Sequence, residues 1–124
     1  MRDILLIGVG GFLGAITRYI VSISIGQRWG AGFPMGTFVI NITGCLFIGF
    51  LMPLLTERFL LSPQWRLFLV IGFLGAYTTF STFAYETNAL IEDREWLFAG
   101  LNASLSVLLG LSALKIGETL SKLI

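Results

Sequence analysis

The sequence predicts an all-α membrane protein with four transmembrane helices, and two observations support this. Of its 124 residues, 56% are apolar and only 12% are charged, about half the charge of a typical soluble domain. A chain this short could not bury so much apolar surface in a core surrounded by water. The charged residues also separate four long apolar runs, each near the roughly 20 residues that cross a bilayer.

The four predicted spans cover residues 4–25, 33–55, 67–91 and 96–116. We expect the first run to be a retained span rather than a cleaved signal peptide, because no small-x-small cleavage site follows it. Trp29, Trp65 and Trp96 lie at predicted span ends, where amphipathic rings prefer the membrane interface. Turns are expected at 30–34 and 62–64, and a charged loop at 92–95. Residues 1–124 therefore form one membrane domain.

Charge patterning leaves the orientation in the membrane open. With four spans, the side that holds both termini carries five Lys and Arg residues against three on the other side, a weak positive-inside bias. Small residues four apart, Gly10 with Gly14 and Gly72 with Ala76, predict close helix packing, either within the chain or at a dimer seam. Polar residues inside the spans favour a homodimer, because a four-helix monomer has little room for a polar pathway.

Several classes of protein are excluded by composition. The chain has no His and a single cysteine, Cys45, so histidine-based metal sites, Ser-His-Asp triads and an internal disulfide are excluded. A formal net charge of +1 provides no basic surface for nucleic acid. No nucleophile beside a base or metal is evident, so an enzyme is not expected.

The third span contains an unusual polar cluster. Four hydroxyl residues fall within five positions: Thr78, Thr79, Ser81 and Thr82. A single Ser or Thr can bond back to its own helix, but four of them after Gly72 and Gly75 favour a helix that is broken within the membrane. The freed backbone groups must then be buried or line a polar site. Exposed carbonyls could hold a cation, and N–H groups and hydroxyls could hold an anion.

Other polar and aromatic positions have two possible roles each. Phe80 and Phe83 are three residues apart and share a helix face; they either pack or turn their positive ring edges toward an anion. Thr37 and Asn41 also share a face, and Asn41 is either an interhelical hydrogen-bonding residue or an anion donor. Asn102 and Ser106 repeat this spacing in the fourth span, as a pore wall or as a helix contact.

Two charges lie in or near the spans. Arg18 either snorkels to the interface or raises the local anion concentration at a vestibule. Glu86 is the only acid that could lie inside a span, either relaying protons or facing the interface. Hydroxyls, amides and phenyl rings without a central charge favour passive permeation of a small ion, whose sign the residues alone leave open.

Three motifs carry a family resemblance: Gly-Gly-Phe-Leu-Gly-Ala at 10–15 leading to Arg18-Tyr19, Gly-Thr-Phe-Val-Ile-Asn-Ile-Thr-Gly-Cys at 36–45, and Gly-Phe-Leu-Gly-Ala-Tyr-Thr-Thr-Phe-Ser-Thr-Phe at 72–83. With these motifs in order, the chain resembles the Fluc fluoride channels, also called CrcB proteins, over essentially its full length. The resemblance implies an antiparallel, dual-topology homodimer in the cell inner membrane. Its two pores would export toxic fluoride from the cytoplasm.

The resemblance also implies roles for individual residues. The fluoride pore would be lined by Phe80, Phe83, Asn41, Ser81, Thr82, Asn102, Ser106 and Thr37. Arg18 would stand at an aqueous vestibule. A structural sodium ion at the dimer centre would be held by backbone carbonyls at Gly75 and Thr78, joining two broken helices without itself permeating. The fourth-span register, and with it Asn102, departs from some members that carry Tyr there.

Two other classes of protein compete with a channel. Small multidrug exporters share the size and the four spans but depend on a carboxylate within the first span, where this chain has only Asp3 at the extreme end. If the protein were a non-transporting assembly subunit, the polar and aromatic cluster at 78–83 would have no function.

Overall fold

The computed structural model describes residues 1–30, 32–58 and 62–124, with the side chains of 57 and 58 left out. The helices that it contains are α1 (Arg2–Trp29), α2 (Met35–Pro53, continued by the π-helical Leu54–Arg58), α3 (Pro63–Trp65, the π-helical Arg66–Leu74 and Gly75–Tyr77), α4 (Phe80–Glu92) and α5 (Trp96–Lys122). The described residues thus form an all-helical fold.

Within the described residues, four helical stretches are long and apolar enough to cross a membrane: Arg2–Trp29, Met35–Thr56, Pro63–Glu92 and Trp96–Lys122. Large apolar side chains such as Phe12, Leu108 and Leu111 are exposed on their outer faces. In water this surface would aggregate, whereas acyl chains cover it at no cost. The prediction of an all-α membrane protein with four spans is confirmed, and the chain is a multi-pass membrane protein.

The helix ends follow local backbone chemistry. The helix α1 stops at Gly30, which has a φ of 78°, a conformation that glycine adopts without strain. The predicted turn at 30–34 is present at 30 and 32–34, and residue 31 lies outside the described residues. At 62–64 the prediction of a turn is only partly right, because Pro63 already begins α3. The fixed φ of proline suits the first turn of a helix.

Glycines determine which helices approach each other closely. A Cβ atom on Gly10 or Gly14 of α1 would collide with backbone atoms of Phe68 or Phe73 on α3. The same holds between α2 and α5, where a Cβ on Gly49 would meet the Leu114 carbonyl. Two tight helix pairs, α1 with α3 and α2 with α5, are therefore packed backbone to backbone. These glycines pack within one chain.

The apolar core lies between α2 and the end of α3. Its buried members are Ile40, Leu74 and Tyr77. Partly buried Val21 and Phe73 are among the side chains that pack around them. The core thus surrounds the last turn of α3, immediately before the chain leaves the helix.

Thr78 and Thr79 separate α3 from α4. Thr78 has φ and ψ of −82° and 159°, and Thr79 has −153° and 121°, so both residues are extended. Helix geometry resumes at Phe80. We refer to Thr78 and Thr79 as the interruption.

We predict that Gly14→Ala destabilises the protein by about 1–3 kcal/mol, because the added methyl meets the Phe73 carbonyl, which is backbone and cannot swing aside. Gly8→Ala is the matched control, since nothing lies within 4 Å of a Cβ at that position of the same helix. Thermal unfolding of the two variants in detergent measures the difference. Equal melting temperatures would contradict the packing described for α1 and α3.

Candidate functional site

Asn41 on α2 holds the backbone of the interruption. Its Nδ2 donates to the Thr79 carbonyl at 3.0 Å, and its Oδ1 accepts from the Thr79 N–H at 2.9 Å. The amide oxygen therefore replaces the helical acceptor that the Thr79 N–H loses, and the amide nitrogen adds a hydrogen bond to the carbonyl that begins the next helix. An amide NH₂ has two donors, and only one of those on Asn41 is used by Thr79.

Backbone carbonyls are released beside Asn41. In a continuous helix the Gly75 carbonyl would accept from the Thr79 N–H, but that N–H points to Asn41. Since the peptide between Thr78 and Thr79 is trans, the Thr78 carbonyl points to the opposite side from the Thr79 N–H, away from Asn41. The carbonyls of Gly75 and Thr78 are therefore available for a hard cation, which prefers oxygen ligands.

Hydroxyl groups surround the start of α4. Thr79 caps this helix, because its Oγ1 accepts from the Thr82 N–H at 3.3 Å. The Thr79 Oγ1 also donates to the Thr82 Oγ1 at 3.0 Å and lies 3.4 Å from the Ser81 Oγ. Ser81 and Thr82 are exposed. The helix start thus combines hydroxyl donors with the positive end of a helix dipole, a neutral arrangement that favours an anion.

Phe80 and Phe83 lie side by side, with ring centroids 5.7 Å apart and planes tilted by 40°. The side chain of Phe80 is 79% exposed. Both rings line a groove of about 380 Å³, which also contacts Asn41, Ser106 and the interruption. We call this the groove.

Thr37 and Glu86 form a second polar contact, about one helical turn before Asn41 on α2 and about two turns after Thr79 on α4. The buried Thr37 hydroxyl donates to the Glu86 Oε1 at 2.9 Å. The other carboxylate oxygen, Oε2, is buried without a hydrogen-bond partner among the described residues. Thr37 therefore faces α4, as Asn41 does, but it contacts an acid rather than the interruption.

Arg18 is half-buried on α1 and lines a cavity of about 350 Å³ together with Thr37, Thr79 and Thr82. No ion pair joins its guanidinium to a carboxylate among the described residues. The charge of Arg18 is thus near three of the polar side chains but outside the groove.

Asn102 on α5 is buried, with 1% of its surface exposed. Its Nδ2 donates to the Thr87 Oγ1 at 2.9 Å, and its Oδ1 accepts from the Ser106 Oγ at 3.5 Å. Asn102 thus links α5 to α4, whereas Ser106, one turn further along, reaches the groove.

The structure divides the predicted site residues among four places. The groove is lined by Asn41, Gly75, Thr78, Phe80, Phe83 and Ser106. The Arg18 cavity adds Thr37 and Thr82, and Asn102 lies at a helix contact. Ser81 is exposed at the start of α4 and lines neither the groove nor the cavity. The ion-binding roles of these residues stay predictions.

Two residues at the site carried no prediction of their own. Thr79 forms both hydrogen bonds with Asn41. The sequence feature that could have pointed to it is the pair of successive threonines after Gly75. Thr87 receives the hydrogen bond of Asn102. The sequence does not distinguish Thr87 from any other threonine within a helix. Its hydroxyl indeed makes the ordinary bond back to its own helix, to the Phe83 carbonyl.

Four membrane-long helices and an uncharged polar site at an extended interruption define a small multi-pass membrane protein with a site suited to ions. The profile of a family described as "CrcB-like protein, Camphor Resistance (CrcB)" matches residues 5–118. The chain therefore belongs to the CrcB-like family, as its motifs indicated.

Three similar proteins share the same description. A protein of Solibacter usitatus called a fluoride-specific ion channel is 47% identical over 118 residues, covering 95% of this chain and 97% of its own. Proteins of Trichormus variabilis and Chlorobaculum tepidum with the same description are each 45% identical. Each alignment covers 99% of this chain, and 90% and 97% of those proteins respectively.

We predict that Asn41→Asp destabilises the protein by about 1–3 kcal/mol, because the Thr79 carbonyl loses its donor and faces a carboxylate instead. Asn88→Asp makes the same chemical change at an exposed position of α4 and serves as the control. Thermal unfolding in detergent measures both. A melting temperature for Asn41→Asp equal to that of the control would argue against an anchoring role for the amide.

Proposed function

We propose that this protein is a passive, fluoride-selective ion channel that exports fluoride from the cytoplasm and so protects the cell from its toxicity. The observation that carries the proposal is the set of neutral donors at the interruption: the second N–H of Asn41 and the hydroxyls of Ser81 and Thr82. The naming of three close relatives as fluoride-specific ion channels supports the choice of ion. No reaction is catalysed.

Fluoride is small and strongly hydrated, so several short-range donors must replace its water shell. Amide and hydroxyl donors can do this, and phenyl ring edges at Phe80 and Phe83 add a weak positive field along the groove. A fixed positive charge at the narrowest point would trap the ion, whereas neutral donors let it bind and leave. The proposed path also passes Thr37, Ser106 and Asn102.

Arg18 fits the vestibule of such a path. Its charge lies beside Thr37, Thr79 and Thr82 but outside the groove. There it raises the local concentration of anions without holding one in the narrow section.

We further propose that the channel is an antiparallel, dual-topology homodimer in the cell inner membrane, with two pores. The support is the exposure of Ser81, Thr82 and Phe80 on the single chain, because polar hydroxyls at membrane depth are unfavourable where they face lipid. A second copy seated on the groove would cover them. The weak charge bias between the two sides of the membrane is compatible with insertion in both orientations.

A structural sodium ion is proposed where the two interruptions meet. The released carbonyls of Gly75 and Thr78 provide neutral oxygen ligands, and Gly75 is exposed on the face that a second copy would cover. Sodium would supply a fixed positive charge that neutralises the carbonyl ends of two α3 helices.

We predict that liposomes containing the purified protein lose fluoride rapidly while retaining chloride, as read by ion-selective electrodes. Phe80→Ile is expected to slow fluoride efflux by about tenfold, the effect of about 1.4 kcal/mol on the barrier, because the aliphatic side chain has no positive ring edge.

Phe12→Ile is the matched control, since Phe12 is exposed on α1, away from the groove. No fluoride loss from folded wild-type protein would reject the channel. Glu86→Gln and proton-driven drug efflux would then test the exporter alternative, because Glu86 has a carboxylate oxygen with no hydrogen-bond partner in the described part of the chain. Equal efflux through both phenylalanine variants would remove Phe80 from the pore.

We also predict that replacing sodium by a large organic cation abolishes fluoride efflux, because two carbonyl helix ends would then meet without a cation between them. Thr78→Ser should have only a mild effect, since the proposed ligand is its backbone carbonyl. Efflux that is indifferent to the replacement of sodium would count against the sodium site.

A further inference from the structure

Tyr77 is the last helical residue before the interruption, and its ring is buried. It is 6% exposed, belongs to the core with Ile40 and Leu74, and stacks on Phe73 at a centroid distance of 6.0 Å. A buried phenol needs a partner for its hydroxyl. The Tyr77 hydroxyl therefore requires a hydrogen-bond partner inside the protein.

The partner is Thr43 on α2, whose Oγ1 lies 2.9 Å from the Tyr77 hydroxyl. The Thr43 Oγ1 also lies 2.7 Å from the Val39 carbonyl and 3.1 Å from the Ile40 carbonyl of its own helix, and either it or the Tyr77 hydroxyl can donate to the other. In both cases the hydrogen bond joins the end of α3 to α2.

A short strip of α2 contacts three consecutive residues around the interruption. Asn41 holds Thr79 by two hydrogen bonds, and Thr43 holds Tyr77. Gly44 leaves room between them, since a Cβ there would collide with the Thr78 methyl group. The Thr78 peptide is thus anchored on both sides.

We propose that the hydrogen bond between Tyr77 and Thr43 is a positioning contact that sets the direction of the Gly75 and Thr78 carbonyls. The inference rests on the proposed sodium-dependent channel for its transport readout. Asn41 holds the residue that follows Thr78 against α2, whereas the Thr78 N–H and hydroxyl bond only within α3, to the Leu74 carbonyl. The Tyr77 hydroxyl fixes the preceding turn, so the two carbonyls keep a constant relation to each other.

Tyr77→Phe tests this, because it removes only the hydroxyl and keeps the buried ring. A neutral hydrogen bond is strong enough to shift an equilibrium by about fivefold. We therefore expect the sodium concentration for half-maximal fluoride efflux to rise by about fivefold. Amide hydrogen exchange of peptides covering 77–80 should accelerate by a similar factor, while exchange in α5 is unchanged.

Variants of the partner complete the design. Thr43→Val should match Tyr77→Phe, the double variant should be no worse than either single variant, and Thr43→Ser should restore wild-type behaviour. Thr119→Val is the control, since it removes an exposed hydroxyl that bonds only within its own helix, to the Lys115 carbonyl.

Wild-type exchange at 77–80 together with wild-type sodium dependence in Tyr77→Phe would overturn the inference. Faster exchange throughout the protein would also overturn it, because the bond would then be a general stabilising contact. A wild-type protein that passes no fluoride would reject the proposed channel instead, and amide exchange at 77–80 would still decide whether the contact positions the interruption.

Discussion

The arrangement of this protein depends on satisfying the backbone polar groups of Thr79 in an apolar surrounding. The N–H of an extended residue between two helices has no helical partner, and it would cost several kcal/mol if left unpaired in hydrocarbon. Asn41 accepts from the Thr79 N–H and also donates to the Thr79 carbonyl. With that requirement met, α3 can end at Tyr77, α4 can begin at Phe80, and hydroxyls and carbonyls are placed side by side at one depth of the fold.

Backbone-to-backbone glycine contacts provide the rigid surroundings that this arrangement needs. The helix α1 is locked against α3 through Gly10 and Gly14, and α2 against α5 through Gly49 and Gly117. Membrane helices gain little from burying apolar side chains against each other, since lipid is equally apolar, so close van der Waals packing stabilises the fold instead. These contacts make two tight pairs, and the contacts of Asn41 and Gly44 with the interruption set the position of α2 relative to the end of α3.

The sequence predicted the fold well and the site in part. Four apolar runs separated by charges specify four membrane-long helices, because hydrocarbon thickness leaves few alternatives. The cluster at 78–82 marked the polar region, and its spacing placed Phe80 beside Phe83. The sequence could not predict which side chains contact each other across helices. The i, i+4 pattern puts Asn102 on one face of α5, but only packing shows that this face meets Thr87. Thr43 and Tyr77, 34 residues apart, pose the same difficulty.

The Thr78 methyl group packs directly against Gly44 of α2, and this contact has a mechanical consequence. Two helical halves joined by extended residues ordinarily form a hinge, about which each half can tilt separately. Here the joint is inserted into the surface of α2 and held there on both sides, so bending at the joint would require the neighbouring helix to move with it. We therefore expect the two halves and α2 to move as one unit, so that any opening or closing of a path along them comes from side chains rather than from bending at the joint.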